Sequence, residues 1–506
     1  MKHKDLLLSA LTGVLLTSAY PPAGWGFLAW IAFVPLFFAV RDAFGTSRVF
    51  KCGAVTGVTF FCFSMHWLTE VSAVGWLLWS AMQTAYVMLF VWLTCFARKV
   101  PASLPVRVLW TALAWTVLEF VRAEVPVFGV GWNLLAYSQA PYPAVIQAAN
   151  LFGAYGLGFL IMSVNACLFE LCAPKKAHTR GVPAALFATV VGILVGLFLY
   201  GDRSLAEEKR PEEYLRVSVL QGNIPQAVKW EIMAKEQILS IYEKLTQLAA
   251  LDQPDLIIWP EASFPGYFNR DLQSERIARV AQEVQTPLLV GALYWRNEKE
   301  VYNSAYFLDK DGVAAQQRYD KVRLVPFGEY IPLKFLLGWL KPVADALGIS
   351  DFSAGAGSTV FQWAREEWPF GVLICFEDVF TDLARKMADR DAKFLVVITN
   401  DAWFGKTGAP YQHLQASIFR AVENGVAVVR AANTGLSAFI SYRGEVLATV
   451  KNAKGEELFT LGHKTLDLPL TVENTIYRRG GFYFPYAACL LFLGLGLFLI
   501  KKRTVS

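Results

Sequence analysis

Residues 256–261 read Leu-Ile-Ile-Trp-Pro-Glu and residues 371–375 read Gly-Val-Leu-Ile-Cys. Each is a short apolar run that stops at one chemically active side chain, Glu261 or Cys375. Runs of this length, bounded by Gly, Pro or polar residues, are strand signals. They recur on both sides, at Leu215–Leu220, Pro287–Tyr294, Phe394–Thr399 and Ala427–Ala431. Between them the apolar period changes to that of a helix. Glu231–Leu251 has helical apolar spacing through Ile232, Ile238, Ile241, Leu245 and Leu248, and Ser274–Val284 and Leu414–Asn424 have helical spacing too. Tyr302–Leu308 and Leu436–Tyr442 add strands that predict hairpins. Alternation of this kind predicts a layered α/β domain over 213–470.

Outside that region the composition changes. The chain has 506 residues, 55% hydrophobic and only 18% charged, against about 25% charged in an ordinary soluble protein. The deficit is local: residues 1–200 carry 18 charged side chains, or 9%, whereas 201–480 carry 68, or 24%. These figures exclude a disordered chain, a collagen and a coiled coil. The net charge of +5 divides into +6 over 1–200, −4 over 201–500 and +3 from Lys501, Lys502 and Arg503. It is therefore a membrane-flank signal and implies no nucleic-acid partner.

Stretches of about 20 apolar residues are membrane-span candidates. They fall near 5–20, 24–40, 52–69, 74–97, 106–121, 152–173, 183–200 and 482–500. With eight spans, Lys2 and Lys4, Arg41, Arg48 and Lys51, Arg98, Lys99 and Arg107, Lys175, Lys176 and Arg180, and the final three basic residues all face one side. That side is the cytoplasm by the positive-inside rule. The expected domains are then helices 1–7 over 1–200, a linker over 201–212, a periplasmic domain over 213–470, and a last span with a cytoplasmic tail over 471–506. The 122–151 connection, with its Val-Phe-Gly-Val-Gly-Trp-Asn-Leu-Leu run over 127–135, reads equally as an interfacial arm or as a loop packed on the outer domain. Glu119 and Glu170 read as solvated span ends.

Common catalytic motifs are missing from the middle region. Gly405-Lys406-Thr407 lacks the upstream glycine of a phosphate loop, where Asn400 stands instead. The five histidines have no zinc spacing, and neither a Cys-x-x-Cys pair nor a Gly-x-Ser-x-Gly elbow occurs. No metal or cofactor is implied. A cysteine–histidine pair would have to use His413 or His463. Of the seven cysteines, Cys375 alone lies in the charged middle region. Cys375, Glu261 and Lys321 all stand at the ends of strand-like runs, where ligand sites of layered α/β folds gather. A thiol, a carboxylate and an ammonium that meet there could perform acyl transfer, with the thiolate as nucleophile. Taken one at a time, each is more often a structural residue, and spacing alone does not force them together.

At these residues the sequence resembles the nitrilase, or carbon–nitrogen hydrolase, superfamily. The matching segments occur in that superfamily's order: Gln221-Gly222-Asn223-Ile224, Trp259-Pro260-Glu261, Lys321 with Pro326-Phe327-Gly328-Glu329-Tyr330, Cys375-Phe376-Glu377, and Asn400-Asp401-Ala402-Trp403-Phe404-Gly405. Seven spans before such a domain and one after it resemble the apolipoprotein N-acyltransferase family. The resemblance implies a multi-span helical bundle joined to an α-β-β-α sandwich. It implies a Glu261–Lys321–Cys375 triad: Glu261 as general base and acid, Cys375 as nucleophile, and Lys321 stabilising the oxyanion with a backbone N–H near Phe376. It assigns Glu329 to orienting Lys321, and places Trp230 and Glu377 near the site. The family commonly has tyrosine after the nucleophile; Phe376 stands here, so a hydroxyl role cannot be carried over.

The resemblance further implies a ping-pong reaction in the bacterial inner membrane. A phosphatidylethanolamine-like phospholipid donates an acyl chain to Cys375 as a thioester, and the N-terminal diacylglyceryl-cysteine amine of an apolipoprotein accepts it. Extracting a 16-carbon chain from the bilayer would cost roughly 12 kcal/mol at about 0.8 kcal/mol per CH₂, which favours a membrane-tethered enzyme. Two alternatives stand beside it. One is a tethered amidase or nitrilase acting on soluble amides; the other is a non-enzymatic transporter or scaffold with a degenerate periplasmic domain, which a Cys375 distant from Glu261 and Lys321 would favour. Trp403-Phe404, Tyr411 and residues 335–355 are candidate gating elements.

Overall fold

Small residues set how the first helices pack. The computed structural model describes residues 3–42, 45–100, 102–125, 129–173, 182–207, 209, 211, 213–229, 231–333, 351–363 and 368–505. Its amino-terminal part comprises α1 (His3–Ser18), α2 (Val34–Val40), α3 (Thr46–Ser64), α4 (Ala73–Arg98), α5 (Leu104–Glu124), α6 (Ala149–Cys172) and α7 (Val182–Ala206). A Cβ at Gly53 or Gly57 of α3 would stand 2.7 or 2.8 Å from the backbone of Met88 or Thr84, so α3 and α4 touch directly. Ser72 starts α4 by accepting a hydrogen bond from the Gly75 N–H at 3.0 Å. Among the described residues, five helices are long and apolar enough to cross a membrane: Ala73–Arg98, Leu104–Glu124, Ala149–Cys172, Ala184–Ala206 and Gly481–Arg503. The chain is a multi-pass membrane protein. Three of the expected spans are weaker: α1 has 16 residues, the second passage breaks into a 3-10 turn at Gly26–Trp30 followed by α2, and α3 has 19 residues.

The sheet domain follows. Its elements are β1 (Glu213–Gln221), α8 (Lys235–Ala250), β2 (Leu256–Ile258), β3 (Phe264–Tyr267), α9 (Ser274–Val284), β4 (Leu288–Asn297), β5 (Glu300–Leu308), β6 (Ala314–Asp320), β7 (Val360–Phe361), β8 (Phe370–Ile374), α10 (Thr381–Ala388), β9 (Phe394–Thr399), α11 (Ala409–Asn424), β10 (Ala427–Ala432), β11 (Ala438–Ile440), β12 (Val446–Thr449) and β13 (Gly462–Leu470). One sheet has the order β13-β1-β2-β4-β5-β6, with β3 beside β4; the other has the order β12-β11-β10-β9-β8-β7. The central pairs are parallel, β1 with β2 with β4 and β8 with β9 with β10, and antiparallel hairpins close the edges. Alternation along β1 makes the layers: Leu215, Val217 and Val219 join Val372, Val396 and Val429 between the sheets, while Leu220 lies under α8. Helices α8 and α9 cover one outer face and α10 and α11 the other, which is the α-β-β-α sandwich. The last helix, α12 (Phe484–Val505), returns to the bundle beside α5.

Two expectations need correction, and one open alternative is decided. The buried face of α8 is Ile238, Leu239, Tyr242, Leu245, Thr246 and Ala249, and Leu248 is 52% exposed. Tyr242 and Thr246 count as polar in a pattern, but Tyr242 stacks on Trp259 at 4.9 Å and Thr246 accepts the Trp259 indole N–H at 3.0 Å. The pull of that indole turns the helix away from its purely aliphatic stripe. Glu119 and Glu170 are buried rather than solvated. Glu119 accepts from the Leu135 N–H at 2.7 Å and pairs with Arg122, whose guanidinium also donates to the Trp132 and Asn133 carbonyls at 3.0 Å each. Of the two readings of the 122–151 connection, the described part follows the packed loop. Trp132 Nε1 donates to Gln412 Oε1 at 2.9 Å, and Gln147 Nε2 to the Arg443 carbonyl at 2.9 Å.

Gln412 ties the two parts together. Its Oε1 also accepts from Trp67 Nε1 at 3.1 Å, and its Nε2 donates to the carbonyls of Pro21 and Ser64 at 2.9 and 3.0 Å. A second tie lies at a break in α6, where Gly153 has φ 68°, a conformation glycine adopts at least cost. There the Ala154 N–H donates to Glu423 Oε1 of α11 at 2.8 Å.

Candidate active site

Cys375 is the first residue after β8, at the start of a 3-10 turn (Cys375–Val379), with φ 55°. A left-handed conformation at a non-glycine residue costs roughly 1–2 kcal/mol and persists only where its surroundings impose it. Ala262, directly after Glu261, has φ 45°, and Phe327, in the loop after Lys321, has φ 59°. Left-handed backbone thus marks three segments that reach the site. Burial pushes the Cys375 thiol well above its ordinary range; Glu261 pushes it further and Lys321 pulls it back. The resting group is a thiol, so it needs a base at the moment of attack.

Glu261, which follows β2, and Lys321, which follows β6, meet in front of it. Lys321 Nζ is buried, 2.8 Å from Glu329 Oε1 and 3.5 Å from Glu261 Oε1. Burial alone would lower the ammonium's pKa; the Glu329 and Glu261 carboxylates outweigh it and hold the group charged. Glu329 is fixed in turn by the Val325 N–H, which donates to its Oε2 at 2.8 Å. The structure therefore brings Glu261, Lys321, Glu329 and Cys375 together.

Glu377 lies directly behind. It is fully buried and accepts from the Val322 and Arg323 N–H groups at 2.6 and 3.0 Å, from the Ile374 N–H at 2.8 Å and from the Tyr319 hydroxyl at 2.7 Å. It bolts the chain around Lys321 to the end of the strand that presents Cys375. Burial pushes its carboxyl up to about 7 against these donors. The Phe376 ring packs edge-on to Phe380 at 5.1 Å. Trp230 and residues 334–350 lie outside the described residues. Trp403 and Tyr411 are partly exposed, and Phe404 packs against Trp67 at 4.6 Å.

Two polar neighbours escaped the sequence reading. Asn303 Nδ2 donates to Glu261 Oε1 at 2.8 Å; its signal was a lone amide within the Tyr302–Leu308 run. Lys229 is 3% exposed, and its Nζ donates to the Glu261 carbonyl at 3.0 Å, within electrostatic reach of the Glu261 carboxylate and Cys375. Burial lowers Lys229 to about 8, with the Glu261 carboxylate and Cys375 opposing the shift. Neither histidine faces the thiol as a base. His413 is held between Asp378 at 2.9 Å and Asp401 at 3.1 Å, and His463 pairs with Asp252. The Asn400–Gly405 segment belongs to that buried network and to Asn433, which also binds the Ile224 backbone.

A sheet sandwich with this constellation at its strand ends defines a carbon–nitrogen hydrolase catalytic domain, and residues 216–469 match the carbon-nitrogen hydrolase family. Residues 12–167 match the apolipoprotein N-acyltransferase N-terminal domain. A Geobacter metallireducens protein named apolipoprotein N-acyltransferase is 35% identical over 458 residues, covering 88% of this chain and 86% of its own. One of the same name from Pasteurella multocida is 30% identical over 531 residues, covering 99% and 98%. A solved amidase from Nesterenkonia sp. overlaps 53% of this chain and 93% of its own at 18% identity, with a TM-score of 0.39. The chain belongs to the apolipoprotein N-acyltransferase family.

Proposed function

We propose that the protein transfers an acyl chain from a phospholipid to the N-terminal diacylglyceryl-cysteine amine of apolipoproteins, through a thioester on Cys375. The observation that carries this is the charged, buried Lys321 held between Glu261 and Glu329 within electrostatic reach of the Cys375 thiol. In the first half-reaction Glu261 takes the thiol proton as sulfur attacks the ester carbonyl carbon. The oxyanion forms against the Lys321 ammonium and the Phe376 N–H, in a site with little water to compete. The carbon–oxygen bond then breaks, Glu261 returns the proton to the leaving alkoxide, and a lysophospholipid departs. In the second, the neutral acceptor amine attacks the thioester, Glu261 takes its proton, and Cys375 leaves and recovers it, giving an amide.

Lys321 is oriented by Glu329; Glu377 fixes the lysine loop against the nucleophile strand; Trp230 is carried over from the family resemblance as a residue near the site, and Phe376 contributes ring packing on Phe380. A phosphatidylethanolamine-like lipid is the donor. Residues 1–200 form seven spans and 471–506 the last, with 201–212 as linker and 213–470 as catalytic domain. The domain faces the periplasm of a bacterial inner membrane, and both termini face the cytoplasm, since every basic cluster then lies inside.

Purified protein given a phospholipid and a synthetic diacylglyceryl lipopeptide tests this. Lysophospholipid and N-acylated peptide in equal amounts are expected. Hydrolysis of simple amides with no transfer would favour an amidase and overturn it.

A further inference from the structure

The end of the bundle remote from the sheets holds cations that acyl transfer does not use. Arg98 ends α4, Arg107 lies in the first turn of α5, and Glu170 lies in the last turn of α6. The opposite ends of α5 and α6 meet the sheet domain, where Thr381 donates to Glu124 and Ala154 to Glu423. At 1.5 Å per residue, the 26 residues of α4 separate the two ends by about 39 Å.

The two guanidiniums share one carboxylate. Arg98 Nη2 is 4.0 Å and Arg107 Nε 3.6 Å from the same Glu170 Oε1, both beyond hydrogen-bonding length. The buried Arg107 Nε has no hydrogen-bond acceptor among the described residues. The other arginine bonds are long, Arg98 Nη1 to the Phe37 carbonyl at 3.5 Å and Arg107 Nη1 to the Ala102 carbonyl at 3.3 Å. Stacking over Phe169 at 4.2 Å keeps Arg98 in place. The side chains are only 18% and 27% exposed and line a crevice with Thr94, Thr111 and Phe37.

Two partly desolvated cations facing one anion leave a positive surplus with donors to spare, and guanidinium forks match phosphate oxygens in pairs. The crevice lies where the apolar helices α4, α5 and α6 end, beside Phe37, Val108 and Ala166. Basic crevices between membrane helices are a recurrent way to hold anionic head groups.

We propose that Arg98 and Arg107 bind the phosphate of an anionic phospholipid from the leaflet remote from the sheet domain, at a site separate from the acyl donor's. Glu170 acts as a built-in competitor that occupies the arginines when no lipid is present.

The test is native mass spectrometry of the full chain in mild detergent, titrated separately with phosphatidylglycerol and phosphatidylcholine. Wild type is expected to retain one phosphatidylglycerol preferentially. The double variant Arg98→Gln/Arg107→Gln should lose about tenfold in apparent affinity, the scale of one charge-assisted hydrogen bond. Glu170→Gln should bind more tightly than wild type, because its arginines are released. Thermal unfolding establishes that each variant is folded. Equal phosphatidylglycerol retention in all three proteins, or weaker retention in Glu170→Gln, would overturn the site. Displacement of the lipid by inorganic phosphate at equal concentration would overturn its assignment to a phospholipid.

Discussion

Lys229 Nζ donates to the backbone carbonyl of Glu261 at 3.0 Å, so a second buried lysine supports the residue assigned as base. Its charge also faces the Cys375 thiol, where an ammonium stabilises the thiolate that forms during attack. Burial lowers this lysine to about 8, so the cation is present below that pH and lost above it. The single-turnover acylation rate of Cys375 should therefore fall as pH rises through about 8. Lys229→Met should lower the rate and remove that inflection, whereas Lys229→Arg should remain active with the inflection shifted upward. An inflection that persists in Lys229→Met assigns it to another group. The stability sign is the reverse: the folded chain binds this proton less tightly than the unfolded one, so this residue's contribution becomes less unfavourable from about pH 8 to the lysine reference near 10.4.

Gly291 of β4 stands behind the Glu261 turn. A Cβ there would lie 2.3 Å from the Pro260 carbonyl oxygen and 2.8 Å from Glu261 Cα, both backbone atoms with little freedom to yield. Gly291→Ala should displace Glu261 from Lys321 and reduce turnover at least tenfold, since small misplacements of a catalytic group cost up to about 10² in rate. The expected split is a loss in kcat with little change in KM, read from steady-state transfer.

Gln412 makes four hydrogen bonds across the junction between bundle and sandwich. Gln412→Leu removes all four and leaves two buried indole N–H groups and two carbonyls unsatisfied, each worth about 1–3 kcal/mol. We expect a lower midpoint of thermal unfolding, and faster proteolysis near the junction than at the sheet core. An unchanged midpoint would show that the junction does not contribute to stability.

The layering was legible in the sequence because it depends on local pattern, whereas the meeting of Glu261, Lys321 and Cys375 is not local and was an implication of the family resemblance. Strand runs are short-range signals, and Glu261, Lys321 and Cys375 stand at their ends. The supporting residues were harder to read because their partners are distant in the chain. Lys229 and Asn303 meet Glu261 across 32 and 42 residues. Glu377 reveals its role only through backbone donors at Val322 and Arg323, more than 50 positions away. Burial also defeats composition: Glu119 looked like a solvated span end, but Arg122 and the Leu135 N–H pay for its desolvation. The left-handed backbone at Cys375 and Ala262 has no glycine to announce it.

The central claim is that Cys375 carries the acyl chain between donor and acceptor. Intact-mass and peptide mass spectrometry of the wild-type chain incubated with phospholipid alone measures it directly. One acyl addition is expected on the peptide containing Cys375, removed by hydroxylamine or by a lipopeptide acceptor, and absent in Cys375→Ala. An acyl adduct that persists in Cys375→Ala, or acyl transfer by that variant, would contradict it.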